Sequence, residues 1–239
     1  MSGGYPAEGR FHSVDVIRGL AIVLMALDHI RDYWTPMGFS PLDLSHTSPA
    51  WFATRWITHF CAPAFIFLAG ASAYFQLAKQ GDKADVSRHL LLRGLWLVLL
   101  EIIVVNISWK AALPVDYLWL QVIWAIGLSM IVCAGAIWLP TLPLAVLAVL
   151  IVAGHDSFND FQPAEGWQWL WHILHERGSF EVFNSGYDFF IAYPLLPWPG
   201  VMLLGYLFGG LYVKYPQHIV RWSALLGFAS LCLFVLSYA

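Results

Sequence analysis

Long apolar runs separated by short polar connections form the main pattern of this 239-residue chain. Most of the runs meet the length of about 20 residues that a helix needs to cross a bilayer, where every backbone polar group must be satisfied internally. The pattern predicts an all-α fold, a single polytopic bundle of about seven transmembrane helices. The predicted spans are 14–34, 51–78, 90–109, 117–139, 142–154, 194–213 and 222–239.

The residues at the two ends of the chain indicate how the first and last predicted spans should be interpreted. Residues 1–13 are polar and lack the order of a cleaved signal sequence, so we expect the first span to be retained. The last run is still apolar at Ala239, and we expect the chain to be part of a larger bundle.

The composition supports the membrane assignment. Hydrophobic residues make up 59% of the chain and charged residues 11%, whereas an ordinary soluble domain has about 25% charged residues. So few charges cannot cover a soluble protein of this length. Cys61, Cys133 and Cys232 all lie in apolar runs, which predicts free thiols and no metal site. We find no phosphate-binding, dinucleotide or nucleic-acid motif.

Basic residues predict the orientation, because cytoplasmic loops of membrane proteins are enriched in lysine and arginine. Eight of the 12 basic residues fall on one side of the predicted topology: Arg10, Arg18, Lys79, Lys83, Arg88, Arg93, Lys214 and Arg221. We therefore expect a cytoplasmic N-terminus at 1–13 and an outer loop at 155–193.

Two local patterns predict further structure. Within the outer loop, Trp167, Leu170, Trp171 and Leu174 recur at helical spacing, which predicts a short helix in the membrane interface. This helix would serve either as a simple anchor or as a lid over an outward-facing site. Gly205 and Gly209 form a small-xxx-small pattern, which indicates close helix packing.

Ionisable residues inside apolar spans are costly and mark candidate functional sites. Arg18 and His29 are 11 residues apart in the first span. At about 100° per residue they lie on the same face of a helix, roughly 16 Å apart along its axis. Such a pair suggests a site that reaches through much of the membrane. The alternative is that Arg18 is an anchor that extends to the headgroups.

Three further groups qualify on the same ground. Asp28 lies beside Arg31 and Asp32, Arg55 precedes His59 by one helical turn, and Glu101 lies halfway through the third span. Each group also has a structural interpretation. Asp28, Arg31 and Asp32 could form a surface ion-pair cluster. Arg55 could extend to the headgroups, His59 could be a hydrogen-bonded histidine of the bundle, and Glu101 could pair with a basic residue of another helix.

Imidazole is the natural general base near neutral pH, and a carboxylate such as Asp28 or Glu101 could orient it. Cationic side chains on the cytoplasmic side suit a phosphorylated donor. Arg18 and Arg93 are the candidate contacts to that donor. Arg31, Asp32, Arg55 and Glu101 are candidates for a supporting role.

Several stretches resemble known membrane acyltransferases. Residues 13–21, SVDVIRGLA, closed by His29, resemble the R-x10-H pattern of the acyltransferase-3 type. The chain more closely resembles the bacterial relatives of heparan-α-glucosaminide N-acetyltransferase. The matching stretches are DHIRD at 28–32, HFCAPAFIFLAG at 59–70 and YPLLPWPGVMLLGY at 193–206.

This resemblance implies acyl transfer across a bacterial cytoplasmic membrane. Acetyl-CoA or another acyl-CoA would be the donor substrate, a sugar or other small molecule on the outer side would be the acceptor, and no cofactor would be bound permanently. The family's essential histidine would lie near His46, whereas the R-x10-H pattern selects His29. His29, His46 and His59 therefore remain candidates. We rank His29 first, because it shares a face with Arg18.

A second interpretation remains open from the residues alone. Histidines near the outer ends of two adjacent helices could bind haem, and intramembrane acidic residues and histidines could relay protons in a carrier. Either would be a membrane protein without acyltransferase activity. The sequence does not determine the acceptor or the oligomeric state.

Overall fold

A computed structural model describes residues 12–34, 38, 40–43, 45–110, 117–181 and 186–237. Its helices are α1 (His12–Trp34), α2 (Pro49–Thr58), α3 (Cys61–Gln80), α4 (Lys83–Leu100), α5 (Asn106–Lys110), α6 (Val122–Ala136), α7 (Thr141–Gly154), α8 (Gln168–Leu174), α9 (Trp198–Lys214) and α10 (Ile219–Ser237). Its strands are β1 (Tyr117–Leu120), β2 (Gly178–Glu181) and β3 (Asp188–Ile191). A π-helical turn, Glu101–Val105, joins α4 to α5, and a 3-10 turn, His155–Phe158, follows α7.

The helices fit an integral membrane protein, but the predicted number of spans is not confirmed. In the described part of the chain, three continuous helical stretches are long and apolar enough to cross a bilayer: Pro49–Gln80, Lys83–Ser108 and Thr141–Phe158. Two shorter apolar helices are Val122–Ala136 and Ile219–Ala229. The predicted span at 117–139 is shorter than expected, because its first four residues form β1.

The all-α prediction is wrong in one respect, since the fold contains a small sheet. The strand order is β1-β3-β2, with β1 parallel and β2 antiparallel to β3. Leu120 and Ile191 are paired across the sheet and fully buried or nearly so. Four apolar residues that run directly into a helix cannot be recognised as a strand from periodicity alone, and the sequence analysis therefore missed β1.

Glycines bring α3 and α9 into backbone contact, as the small-xxx-small pattern predicted. A Cβ atom on Gly205 would lie 1.9 Å from the Phe67 carbonyl oxygen, and one on Gly209 would lie 2.7 Å from that of Ala71. Gly70 faces the Met202 carbonyl in the same way, at 1.9 Å. These contacts hold the middle turns of α3 and α9 side by side.

A second glycine contact joins α4 to α6, which the sequence analysis did not predict. Cβ atoms on Gly94 and Gly127 would each meet the other residue's carbonyl oxygen, at 2.6 and 2.8 Å. The main apolar core lies between α3, α4, α6, α7 and α9. In a smaller cluster, Val14 of α1 packs on Leu68, Ala71 and Phe75 of α3.

The predicted helix within 155–193 is present as α8. It is seven residues long and precedes β2, and Trp167 lies just before its start. The backbone N–H groups of Leu195 and Leu196 donate to Ile173 and Leu174, at 2.8 Å each. These bonds attach the end of α8 to the segment that enters α9.

Candidate functional site

A polar cavity of about 480 Å³ lies at one end of the bundle, which we call the cavity end. It is enclosed by the last turns of α1 and α2, the starts of α3, α6 and α9, and the segments that flank α7 and α8. Its polar lining residues are Asp28, His29, Arg55, Thr58, His59, Gln121, His155, Asp156, Asn159, His175, Arg177 and Tyr193. The structure therefore brings together four of the residues predicted from sequence: Asp28, His29, Arg55 and His59.

Asp28 is the centre of an ion-pair network in the cavity wall. Its Oδ2 atom accepts a hydrogen bond from Arg55 at 2.8 Å, and its Oδ1 atom accepts one from the Thr58 hydroxyl at 2.6 Å. The Arg31 guanidinium lies 2.5 Å from Oδ1 and is almost fully buried, with 6% of its side chain exposed. This network links α1 to α2 across 27 positions of sequence.

The described partners of Asp28 are thus two arginines and a threonine, and they do not include an imidazole. This geometry matches the ion-pair interpretation of the sequence, with Arg31 and Arg55 in the predicted supporting role. It gives no support to Asp28 as the residue that orients a catalytic histidine. Nothing is described for the Asp32 side chain.

His29 and His59 reach the cavity from different helices. His29 lies one residue beyond Asp28 on α1 and is exposed. The Nδ1 atom of His59 lies 2.9 Å from the carbonyl oxygen of Arg55. A carbonyl can only accept, so Nδ1 carries a proton, and the Nε2 atom of neutral His59 has its lone pair available.

His46 belongs to a hydrogen-bonded turn that leads into α2. Its Nδ1 atom lies 2.9 Å from Asp43 Oδ2, and the Ser45 hydroxyl donates to Asp43 Oδ1 at 2.5 Å. Hydrogen bonds from Ser45 and from the His46 ring hold the pKa of Asp43 below its ordinary range. Asp43 therefore stays ionised at neutral pH and holds the imidazole with Nδ1 as the donor. His46 is not among the cavity-lining residues.

The structure separates Arg18 from the cavity. The Arg18 guanidinium donates to the Leu68 carbonyl oxygen at 3.2 Å and to the Ser72 hydroxyl, and it lies 3.7 Å from Asp15. It thus fastens α1 to α3, and 35% of the side chain remains exposed. Arg93 is exposed midway along α4. The ranking of His29 first rested on the face that it shares with Arg18, and Arg18 is not among the residues that line the cavity beside His29.

Glu101 is fully buried at the π-helical turn. Its Oε1 atom accepts a hydrogen bond from the backbone N–H of Gln121 at 2.9 Å, and the carboxyl also accepts one from the backbone of Trp124. Glu101 therefore caps the N-terminus of α6 from another helix, where the helix dipole favours a carboxyl group. The sequence analysis expected a basic residue as its structural partner, whereas these described partners are backbone N–H groups.

The sequence analysis missed several residues of the cavity, because they lie in the loop and sheet segments after α7. They are His155, Asn159, His175, Arg177 and Tyr193. The His175 Nε2 atom lies 3.0 Å from Asn159 Oδ1, and the Arg177 guanidinium lies over the Phe190 ring. Burial raises the pKa of Tyr193 above its ordinary value of 10.0. The position of Tyr193 at the start of the YPLLPWPG stretch was the one available signal.

Residues 10–238 match the family described as heparan-alpha-glucosaminide N-acetyltransferase, catalytic. The chain belongs to this family. The match covers almost the whole chain, including the cavity and the loop that carries His46. It confirms the resemblance to the heparan-α-glucosaminide N-acetyltransferase family and indicates a membrane acetyltransferase.

Comparisons with curated proteins and with solved structures identified no further relative. No curated protein and no solved structure matches the chain. The family assignment therefore rests on the sequence match, and the roles of individual residues rest on the geometry described above.

Proposed function

We propose that this chain transfers an acetyl group from an acyl-CoA on one side of the membrane to an amine or hydroxyl of a sugar or other small molecule on the other. The observation that carries the proposal is the polar cavity at one end of the helix bundle. Ionisable groups are costly inside such a bundle and mark substrate sites. The volume of about 480 Å³ lies within the range of small-molecule sites, roughly 300–1,000 Å³.

The cavity is suited to a small polar acceptor. Arg55 pairs with Asp28 in the wall of the cavity, and because Asp28 also pairs with Arg31, this network keeps one net positive charge. His29, His59 and Arg177 line the same space and offer hydrogen bonds to hydroxyl groups. The acceptor would therefore be held by several hydrogen bonds in the cavity, and its nucleophile would have to extend from there to His46 in the turn that leads into α2.

We assign the role of general base to His46. A base becomes a cation when it accepts a proton, and the carboxylate of Asp43 stabilises that cation at 2.9 Å. The surroundings of His59 differ from those of His46. His59 follows the cationic Arg55 by one turn, and its described hydrogen bond is to the Arg55 carbonyl oxygen and not to a carboxylate. The resemblance to the family also implies an essential histidine near His46.

The proposed reaction is a direct acyl transfer. The His46 Nε2 atom takes a proton from the acceptor nucleophile as that nucleophile attacks the thioester carbonyl. The tetrahedral intermediate collapses, the C–S bond breaks, and the proton on His46 passes to the departing CoA thiolate. No other reactant is needed, since the acetyl group and one proton are exchanged between donor and acceptor.

We place the donor's phosphates at the end of the bundle opposite the cavity. Part of the Arg18 side chain is exposed toward that end, and Arg93 is exposed midway along α4. Guanidinium groups bind phosphate in a two-pronged geometry. Following the distribution of basic residues, we propose a cytoplasmic N-terminus and a cavity that faces outward from a bacterial cytoplasmic membrane.

The test is acetyl transfer by the full chain in nanodiscs, with acetyl-CoA as donor and glucosamine as the probe acceptor. Release of free CoA and formation of acetylated sugar are both measured. His46→Ala should lower turnover about 100-fold or more, as loss of a general base does. Asp43→Asn should lower it less, because the imidazole remains but loses its carboxylate. His218→Ala, at the connection between α9 and α10, is the matched control and should retain full turnover.

The same series identifies the histidine if the assignment is wrong. Full turnover in His46→Ala, together with a large loss in His29→Ala or His59→Ala, would move the base into the cavity. Absence of acetyl transfer in the wild type with any amino sugar or alcohol tested would contradict the proposed activity itself.

A further inference from the structure

The polar groups around Glu101 are not all satisfied by the protein. Glu101 is fully buried, and its Oε2 atom has no hydrogen-bond partner among the residues that the structure describes. The same is true of the buried Gln121 Nε2 and Trp124 Nε1 atoms. Buried polar groups are nearly always hydrogen-bonded, because each one left unsatisfied destabilises the fold. These atoms belong to neighbouring residues around the start of α6, and unsatisfied polar atoms on neighbouring residues are typical of a position that a ligand completes.

The three residues are neighbours. The backbone N–H of Gln121 donates to Glu101 Oε1 at 2.9 Å, and the backbone of Trp124 bonds to the same carboxyl group. Asn106, itself buried, donates to the Glu101 carbonyl oxygen at 2.7 Å and holds β1 through Trp119. The carboxyl, the amide and the indole are thus arranged around the N-terminus of α6.

This cluster adjoins the cavity. Gln121 and the next residue, Val122, belong to the cavity lining. Glu101 lies in the π-helical turn, Glu101–Val105, of an otherwise α-helical span. Such turns occur frequently at functional sites. Gln121 therefore connects a fully buried carboxyl to the space in which we place the acceptor.

The unsatisfied atoms define the chemistry of the ligand. Glu101 Oε2 offers an acceptor, and Gln121 Nε2 and Trp124 Nε1 each offer a donor. A secondary amide is complementary, since it presents one N–H donor and a carbonyl oxygen with two lone pairs. An amide that enters a membrane bundle must find such partners, because leaving it without hydrogen bonds is costly.

We propose that Glu101, Gln121 and Trp124 form a binding subsite for a secondary amide of the substrate. This inference rests on the proposed function, which supplies two sources of that amide. One is the pantetheine arm of the acyl-CoA donor, and the other is the N-acetyl group of an acetylated amino-sugar product. The chemistry is the same for both.

Binding measurements on the full chain in nanodiscs distinguish the two sources. The probes are CoA, pantetheine, N-acetylglucosamine, and adenosine 3′,5′-bisphosphate, which has the donor's phosphates but no amide arm. Gln121→Met and Trp124→Phe each remove one donor and keep the bulk of the side chain. Each should weaken binding of the amide probe about five- to tenfold, as the loss of one hydrogen bond does. Binding of adenosine 3′,5′-bisphosphate should not change.

Ser129→Ala is the matched control. Ser129 lies on the same helix, is fully buried, and has a hydroxyl without a hydrogen-bond partner. Its variant should bind every probe like the wild type. Size-exclusion chromatography and near-ultraviolet circular dichroism check that the variants fold. Glu101→Gln removes the carboxyl's charge at nearly constant shape and should also weaken amide binding.

The outcomes separate the two proposals. Weaker binding of CoA and pantetheine in the variants assigns the subsite to the donor, and weaker binding of N-acetylglucosamine assigns it to the product. If the variants bind both amide probes as the wild type does, the cluster holds only water and the inference is wrong. If the wild type binds N-acetylglucosamine through these residues but does not bind CoA, the subsite stands and the proposed donor is wrong. If the wild type binds no amide probe, the inference is overturned.

Discussion

Substitution of Gly70 by alanine should separate α3 from α9. The new Cβ atom would lie 1.9 Å from the Met202 carbonyl oxygen and 2.9 Å from the Tyr206 backbone nitrogen. Both contacts are with backbone atoms, so no side-chain rotation can relieve them. Gly205→Ala meets the Phe67 carbonyl at the same distance, 1.9 Å, from the other helix.

The size of the effect follows from the distances. Ordinary van der Waals contact begins at 3.4 Å, so the helices must move apart by about 1.5 Å at this point, well beyond the tolerance of a close-packed interior. Overpacking costs about 1–3 kcal/mol and occasionally more, and we expect either variant to reach the upper end of this range. For a chain of this size, about 3 kcal/mol corresponds to a fall of roughly 6–12 °C in the thermal midpoint.

The assay is the fraction of protein that remains monodisperse in size-exclusion chromatography after heating in detergent. Gly19→Ala is the control, since Gly19 lies inside α1 and its Cβ would meet no heavy atom within 4 Å. It should be neutral or slightly stabilising, because alanine favours a helix over glycine by about 1 kcal/mol. Acetyl transfer should also fall in Gly70→Ala, because the starts of α3 and α9 line the cavity. If the thermal midpoint of Gly70→Ala equalled that of Gly19→Ala, the close contact of α3 and α9 would be refuted.

Two further predictions concern charge at the cavity end. Asp28→Asn removes the carboxylate shared by Arg31 and Arg55 and should lower stability by about 3–5 kcal/mol in the same assay. Asp156→Asn, whose side chain is 75% exposed, should cost no more than about 1 kcal/mol, and equal losses in the two variants would contradict the buried network. Burial raises the pKa of Tyr193 above 10.0, so its neutral phenol contributes stability that is complete below pH 10.0 and is lost as the pH rises through the folded-state value. Between about pH 9 and about pH 11, the thermal midpoint should therefore fall more in the wild type than in Tyr193→Phe, and equal falls would show that Tyr193 is not buried.

The membrane character of the chain and the packing of α9 were predictable from local sequence. An apolar run long enough to cross a bilayer is visible in the residues themselves, and the glycine spacing at Gly205 and Gly209 requires only one helix to interpret. The small sheet was not predictable in the same way. Its strands are four residues each, and β1 pairs with β3 across about 70 positions, from Tyr117 to Asp188.

In the candidate site, too, some features were predictable from local sequence and others were set by the tertiary structure. The sequence alone determined which residue types were unusual for a membrane span: Arg18, Asp28, His29, Arg55 and Glu101. Their partners were decided by the tertiary structure, because those partners come from other helices. Asp28 pairs with Arg55 from α2, Arg18 bonds to α3, and Glu101 caps α6.

Local spacing therefore identified the candidate residues but not their roles. Helical periodicity placed Arg18 and His29 on one face, yet a shared face does not specify which neighbouring helix lies against each residue. His46, which pairs with the Asp43 carboxylate, lies in a turn outside any apolar run, where periodicity carries no information. Hydrophobic run length and residue type are local properties of the chain, whereas the choice of ion-pair and hydrogen-bond partners depends on which helix faces pack together, and only the folded bundle decides that.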